Sequence, residues 1–393
     1  MTDVVIAGIG QTPVGEHWEI SLRELALQAI EAAQEDSGGL HPQMLVVGNM
    51  LAPAISGQAQ LGALVADFAG LNGIEAYAVE AAGASGGVAI RAGYLAIASG
   101  AVDVALVVGV EKVTDETGNK VEAAIASTTD SDYEAVQGLT TTAQAALLMR
   151  RYIYEFEAPR EAFAGFPLIA HQNGASNRNA MFQRAIRPET YNRAGVVSDP
   201  LNMFDVAPNA DGAAALILTR ADLLPPAFPH PLVRISGSSI VTDTLALHDR
   251  PDPLAFNAAR ISVERACRQA GVLPRDIDLF ELYDAYSVYA ALSLEAAGFA
   301  ERGQGWQLAQ DGELTLQGSL PISTFGGLKA RGNPGGATGV YQAVEAVLQL
   351  RNQAGANQAP GAQRALIQCL GGPASTAATH LLETLNPGEF DRS

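Results

Sequence analysis

The stretch Tyr77-Ala78-Val79-Glu80-Ala81-Ala82-Gly83-Ala84-Ser85-Gly86-Gly87-Val88-Ala89-Ile90 decides the fold. Tyr77 to Ala81 reads as a strand, a glycine turn follows, and Val88 to Ser99 continues as a helix that is apolar on nearly every side. Val104 to Val108 then reads as a further buried strand. A helix apolar all round belongs between layers, not on a surface. The pattern returns in the second half, where Gly332-Asn333-Pro334-Gly335-Gly336-Ala337 opens a helix that leads to the buried strand Ala365 to Leu370. The repetition predicts a duplicated fold whose two glycine turns face one central site. Glycine turns alone say less, because glycine also serves tight turns and close packing.

Outward from this unit the same alternation continues. Val4-Val5-Ile6-Ala7 reads as a strand, Leu22 to Gln34 as an amphipathic helix, Met44 to Val47 as a strand and Gly57 to Phe68 as a helix. Strands alternating with helices argue for an α/β protein with sheets covered on both faces. Between about 113 and 200 the pattern loosens into acidic and Thr-rich text, including Thr140-Thr141-Thr142, mixed with Arg-bearing helices, and this reads as an inserted loop region. Asp211-Gly212-Ala213-Ala214-Ala215-Leu216-Ile217-Leu218 returns to buried strand, and Pro225, Pro226, Pro229 and Pro231 mark a linker. The expected division is residues 1–225, carrying the insert at 113–200, and residues 226–393.

The 393 residues suffice for two or three domains' worth of core, and 48% hydrophobic against 17% charged residues describes a packed globular chain. A net charge of −18 opposes nucleic acid and anionic membrane surfaces as partners. A small anionic ligand fits only where arginines gather, as among Arg150, Arg151, Arg178, Arg184, Arg187 and Arg193. Two cysteines, Cys267 and Cys369, supply neither a disulfide framework nor a four-cysteine zinc site. No basic leader precedes an apolar stretch and no run of about 18 apolar residues occurs, so a cytoplasmic protein with no membrane span is expected.

Six blocks in order carry a resemblance: Val5-Ile6-Ala7-Gly8-Ile9-Gly10-Gln11-Thr12, Val79-Glu80-Ala81-Ala82-Gly83-Ala84-Ser85-Gly86, Val110-Glu111-Lys112, Asp211-Gly212-Ala213-Ala214-Ala215, Gly332-Asn333-Pro334-Gly335-Gly336-Ala337-Thr338-Gly339 and Cys369-Leu370-Gly371-Gly372-Pro373. Through them the chain resembles the thiolase superfamily, in particular its lipid-transfer branch, the thiolases linked to sterol carrier proteins. The resemblance implies a duplicated five-layered α/β/α/β/α thiolase fold with an inserted loop domain, a homodimer or higher oligomer, and a coenzyme A thioester as substrate with no covalently bound cofactor and no metal.

The departures bear on chemistry. Family members that perform thiolysis carry a nucleophilic Cys where this chain has Gly83, at the start of a buried helix whose free N–H groups favour a thiolate. The family's Gly-His-Pro becomes Gly332-Asn333-Pro334, so an amide that donates one hydrogen bond replaces an imidazole that transfers protons. The block before a hydrophobic helix, Asn-Glu or His-Asp in the family, reads Tyr283-Asp284-Ala285-Tyr286. Cys369 of the Cys-x-Gly motif is kept, and in the family it acts as acid/base at the α-carbon. The backbone N–H groups of Gly83 and Gly371 remain as expected oxyanion donors.

A site without its nucleophile suits retro-aldol cleavage of a β-hydroxyacyl-CoA, with Tyr283 as base, Asn333 beside it and Cys369 reprotonating the α-carbon. Such a base needs a polar neighbour to bring its phenol into range. The chain is similar here to thiolase-like retro-aldolases of steroid side-chain degradation, which also lack the nucleophilic Cys and work with a small OB-fold, zinc-ribbon acyl-CoA-binding partner. The alternatives are a thiolase-type acyltransferase and a non-catalytic acyl-CoA-binding subunit of a heterocomplex. Tyr286, Gly332 and His171 are the expected substrate contacts.

Each residue also has a plainer reading. Tyr283, Tyr286 and Ala290 have core-helix spacing, Cys369 and Cys267 can be small buried hydrophobes, and Asn333 can cap a helix that Pro334 begins. Glu111 and Lys112 are expected to form a structural ion pair at a subunit interface or sheet edge.

Overall fold

The computed structural model describes residues 3–385. Its strands are β1 (Val4–Gln11), β2 (Met44–Gly48), β3 (Glu75–Val79), β4 (Val104–Glu111), β5 (Val196–Ser198), β6 (Leu201–Asn202), β7 (Gly212–Arg220), β8 (Val233–Thr242), β9 (Leu279–Glu281), β10 (Arg364–Gly371) and β11 (Thr376–Thr384). The helices of ten residues or more are α1 (Leu22–Asp36), α2 (Ser85–Ala98), α3 (Thr141–Phe156), α4 (Gly165–Gly174), α5 (Asn257–Ala270), α6 (Ser287–Ala296) and α7 (Thr338–Leu350).

Nine strands run in the order β3-β2-β4-β7-β1-β8-β11-β10-β9, and the duplication is legible in that order. From β1 outward through β7, β4 and β2 the pairings are antiparallel, antiparallel and parallel. From β8 outward through β11, β10 and β9 they are antiparallel, antiparallel and parallel again. The halves meet at β1 and β8, where Val5 pairs with Arg234 and Ile6 with Val233. The two sheets expected from sequence are therefore joined along one seam.

Each half covers its first strand in the same way. A side chain on Gly8 of β1 would collide with the Ala33 carbonyl of α1, and one on Gly237 of β8 with the Ala266 carbonyl of α5. These glycines let a helix lie directly on the strand. Helix α1 starts with a Ser21/Glu24 capping box and turns Leu25, Ala29, Ile30 and Ala33 to the sheet. Helices α2 and α7 touch strands of both halves and each other, forming the central layer. They meet glycine to glycine: a Cβ on Gly86 would lie 3.0 Å from the Gly339 nitrogen. The order α1, sheet, α2 with α7, sheet, α5 is the five-layered stacking of a thiolase fold.

Three expectations shift. The helix read from Gly57 begins at Leu61, and the strand read from Tyr77 to Ala81 ends at Val79, on an exposed sheet edge. The 113–200 stretch, read as a loop region mixed with Arg-bearing helices, holds more helix than that reading gave it, with α3 and α4 packed on α6. Thr140 caps α3 by accepting from the Ala143 N–H at 3.1 Å, which gives the Thr-rich text a helical role. No helix among the described residues is long and apolar enough to cross a membrane.

Candidate functional site

The two glycine turns, Ala82–Ala84 before α2 and Gly335–Ala337 before α7, converge on one pocket of about 110 Å³. Gly335 takes φ +43°, and Ala82 takes φ +51°, which is strained for a residue with a Cβ. Glu111 ties the second turn to the first half of the molecule. Its Oε2 accepts from the N–H groups of Met50 and Gly336 at 2.9 Å each, and its Oε1 accepts from Leu51 N–H at 3.0 Å and Asn49 Nδ2 at 2.9 Å. Burial pushes this carboxyl up to about 7 against those four donors.

The expected Glu111–Lys112 pair does not form. Neighbours on a strand point to opposite faces, and Lys112 turns to Asp211 at 3.3 Å and Asp115 at 3.4 Å. Strand β4 is interior, between β2 and β7, so this is no sheet edge.

Tyr283 reaches the pocket from the segment after β9. That segment is fixed by Asp284, which accepts from the Leu328 N–H at 2.7 Å and the Ser323 hydroxyl at 3.2 Å. The Tyr283 hydroxyl stands at Gly83: a Cβ there would lie 2.8 Å from the phenol Cζ, closer still to the hydroxyl, and 2.6 Å from the Leu370 carbonyl oxygen. Burial, then Tyr286 and Cys369, push the Tyr283 phenol above its ordinary value, and hydrogen bonding from the Asn333 amide opposes them. Asn333 is the polar neighbour expected for this phenol. It lowers the value without overcoming burial.

Asn333 does not cap a helix through its side chain. Its Oδ1 accepts from the Thr338 hydroxyl at 3.3 Å, and α7 starts at Thr338 without a side-chain cap. Its backbone is clamped by Asn333 N–H to the Pro208 carbonyl at 2.9 Å and by Ala210 N–H to the Asn333 carbonyl at 3.1 Å. Tyr286 also lines the pocket, with its hydroxyl 3.1 Å from both the Thr141 and Thr142 hydroxyls.

Four expected residues lie elsewhere. Cys369 is 1% exposed and sits behind the pocket wall, its thiol directed at the carbonyls of Ala84 (3.6 Å) and Ala378 (3.8 Å). Gly87 and Gly339 make room for it, since a Cβ on Gly339 would lie 2.8 Å from the sulfur. Burial pushes this thiol up to about 12. It is a neutral thiol that does not itself line the pocket, although it was expected to protonate the α-carbon there. Gly371 faces Ala81 and borders an adjoining hollow, and Gly372 takes its place in the pocket wall. Gly332, at φ +108°, packs against Val14 and shapes the turn without lining the pocket.

His171 lies on α4 in a second, mostly apolar cavity of about 540 Å³, with Phe182, Ile186, Val197, Met203, Arg184 and Lys329. Its ring stacks on Phe182 at 5.9 Å, and burial lowers its pKa, keeping it neutral. The two cavities share the wall formed by Val206 and Ala207.

The sequence reading missed Thr141, Thr142 and Tyr289 in the pocket wall. A signal for the last was present, since Tyr283, Tyr286 and Tyr289 recur at every third position.

Residues 4–222 match the family described as thiolase, N-terminal domain, and residues 239–384 the family described as thiolase C-terminal domain-like. The chain is 40% identical over 383 residues to the acetyl-CoA acetyltransferase of Methanothermobacter thermautotrophicus, covering 97% of this chain and 99% of that protein. It is 26% identical over 388 residues to sterol carrier protein 2 of Gallus gallus, covering 94% and 69%. Among solved structures, the Ltp2-ChsH2(DUF35) aldolase superimposes with a TM-score of 0.82 at 24% identity, over 97% of this chain and 98% of that one.

Proposed function

The chain belongs to the thiolase superfamily, and from that premise we propose that it is a carbon–carbon lyase cleaving a β-hydroxyacyl-CoA by a retro-aldol reaction, as in degradation of a lipid or sterol-type side chain. The observation that carries the reading is the Gly83–Tyr283 exchange: position 83 holds no side chain, and a phenol fills the space one there would take. A pocket with a phenol, an amide and backbone donors suits moving one proton and holding an oxyanion, without an acyl-enzyme.

In this reading the Tyr283 phenolate takes the proton of the β-hydroxyl, the Cα–Cβ bond breaks, and its electron pair passes into the thioester enolate as the β-carbon leaves as a carbonyl. The Gly83 N–H and the Asn333 amide hold the enolate oxygen. The Tyr283 phenol then gives its proton to the α-carbon, releasing the shortened acyl-CoA and restoring the phenolate. One group moves the proton both ways, and Cys369 is not called upon.

The second cavity is the proposed place of the pantetheine arm. Its apolar lining and shared wall lead toward the first pocket, and Arg184 stands at its edge for the phosphates. The exposed edge strand β3 is the proposed surface for a second copy of the chain. The likeness to the aldolase solved with a DUF35 protein supports a small OB-fold, zinc-ribbon acyl-CoA-binding partner as a further proposal.

A second reading, thiolase-type acyl transfer, draws on the relative named acetyl-CoA acetyltransferase. It requires a nucleophile, and the residues lining the pocket include no cysteine, lysine or histidine. The deciding experiment is incubation with β-hydroxyacyl-CoA and β-ketoacyl-CoA esters, with and without free CoA, followed by mass spectrometry. Cleavage of a hydroxy ester without free CoA supports the lyase, CoA-dependent cleavage of a keto ester supports acyl transfer, and ester binding without cleavage supports the non-catalytic subunit.

A further inference from the structure

The polar side chains nearest the phenol are already engaged. Tyr286 holds the hydroxyls of Thr141 and Thr142, and the Asn333 side-chain carbonyl takes the Thr338 hydroxyl. The Tyr289 hydroxyl differs. It belongs to a residue lining the same pocket that is 1% exposed, and it has no hydrogen-bond partner among the described residues. Leaving a buried hydroxyl unpaired is costly, and such a group calls for an explanation.

Tyr289 is also held rigidly. It sits in the first turn of α6, its N–H bonded to the Tyr286 carbonyl at 2.9 Å, with its ring edge-on to Phe256 at 5.5 Å and to Tyr286 at 5.0 Å. The charged and titratable groups acting on it are Tyr286, Tyr283, Arg250 and Glu134. Arg250 is occupied by the Thr244 and Pro373 carbonyls and the Ser375 hydroxyl. Burial keeps the Tyr289 phenol protonated, a fixed donor without an acceptor.

We propose that the Tyr289 hydroxyl donates a hydrogen bond to the β-oxygen of the bound acyl group, so that the pocket selects thioesters oxygenated at the β-carbon over those that are not. The proposal rests on the acyl-CoA reading above and names its substrate class. The thioester oxygen already has the Gly83 N–H and the Asn333 amide, so a second donor answers to a second oxygen. A site that pairs a buried donor with a substrate oxygen rejects the analogue lacking it.

The test is equilibrium binding of 3-hydroxybutyryl-CoA and butyryl-CoA to the full chain and to Tyr289→Phe, at pH 6, where the Tyr283 phenolate is scarcest, cleavage is at its slowest, and intact ester is verified by mass spectrometry at the end of each titration. The wild type is expected to bind the hydroxy ester about tenfold more tightly. Tyr289→Phe is expected to lose that preference, keep the affinity for butyryl-CoA, and melt no lower than the wild type. Equal wild-type affinities, or a preference that survives in Tyr289→Phe, would overturn the proposal. A lowered melting temperature would overturn it too, by showing the hydroxyl tied into the fold. Binding without turnover separates this outcome from the lyase reading, which fails on the absence of cleavage product.

Discussion

The Tyr283 hydroxyl and Gly83 share one space: no side chain fits at position 83 while the phenol is in place. The phenol comes from the second half of the duplicated fold and the glycine from the first, so the site exists only where the halves meet. Placing a nucleophilic side chain at 83 therefore requires moving Tyr283, and the two arrangements exclude each other.

Gly83→Ala tests this exclusion. The added methyl meets Tyr283 and the Leu370 carbonyl oxygen, the latter at 2.6 Å, in a fully packed wall. Overpacking of this kind costs about 1–3 kcal/mol, and displacing the phenol is expected to lower turnover at least about a hundredfold. Thermal melting with steady-state kinetics checks both. Full activity in Gly83→Ala would show that Tyr283 need not stand where it does.

Tyr283→Phe is expected to abolish cleavage while leaving ester affinity within about threefold, because the ring and its packing remain. The wild-type pH profile follows from the raised phenol. The active phenolate is the minor form across the assayable range, so the rate is expected to rise about tenfold per pH unit with no plateau below about pH 10. A plateau near neutrality would assign the proton transfer to another group. Rates from pH 6 to 9.5 decide.

Much of the fold was readable in the text, because buried strands and an all-apolar helix leave patterns that do not depend on distant contacts. β1, β2, β4, β7 and α2 fall close to where alternation placed them. What escaped depends on tertiary context. Cys369 sits in a recognisable motif, but the face to which its strand turns the thiol is set by room left at Gly87 and Gly339 on two other elements. Thr140-Thr141-Thr142 reads as loop by propensity, yet the triplet caps α3 and opens its first turn, and α3 packs on α6. Tyr289 was hidden for the opposite reason: a tyrosine in an apolar helix looks like core until its hydroxyl is found without a partner.

Glu111 couples folding to pH near neutrality. Its folded value of about 7 lies above the ordinary carboxylate value of 4.5, so the folded protein holds a proton there that the unfolded chain releases. Its contribution to stability is therefore greatest below about pH 4.5 and declines as pH rises through 7. Glu111→Gln removes the titration and is expected to flatten this part of the melting-temperature profile between pH 5 and 8. It is also expected to lower stability by about 1–3 kcal/mol, since each carboxylate oxygen accepts two N–H donors and an amide nitrogen accepts none. An unchanged slope would move the pH dependence to another carboxyl.

Cys369 separates lyase chemistry from acyl transfer. If the chain transfers acyl groups through a surrogate nucleophile, Cys369 is the thiol nearest the pocket and its removal abolishes activity. The geometry argues otherwise. The sulfur points at two carbonyls, is fully enclosed by α2, α7 and β11, and burial holds the thiol protonated up to about 12, leaving almost no thiolate at neutral pH. Cys369→Ala is expected to cost about 1 kcal/mol for the cavity left by the sulfur and to keep turnover within about threefold. Iodoacetamide is expected to leave Cys369 unmodified in the folded protein, by peptide mass mapping, and to alkylate it after denaturation. Rapid alkylation of the folded chain together with loss of activity in Cys369→Ala would reinstate the thiol as a reacting group and favour acyl transfer over the lyase.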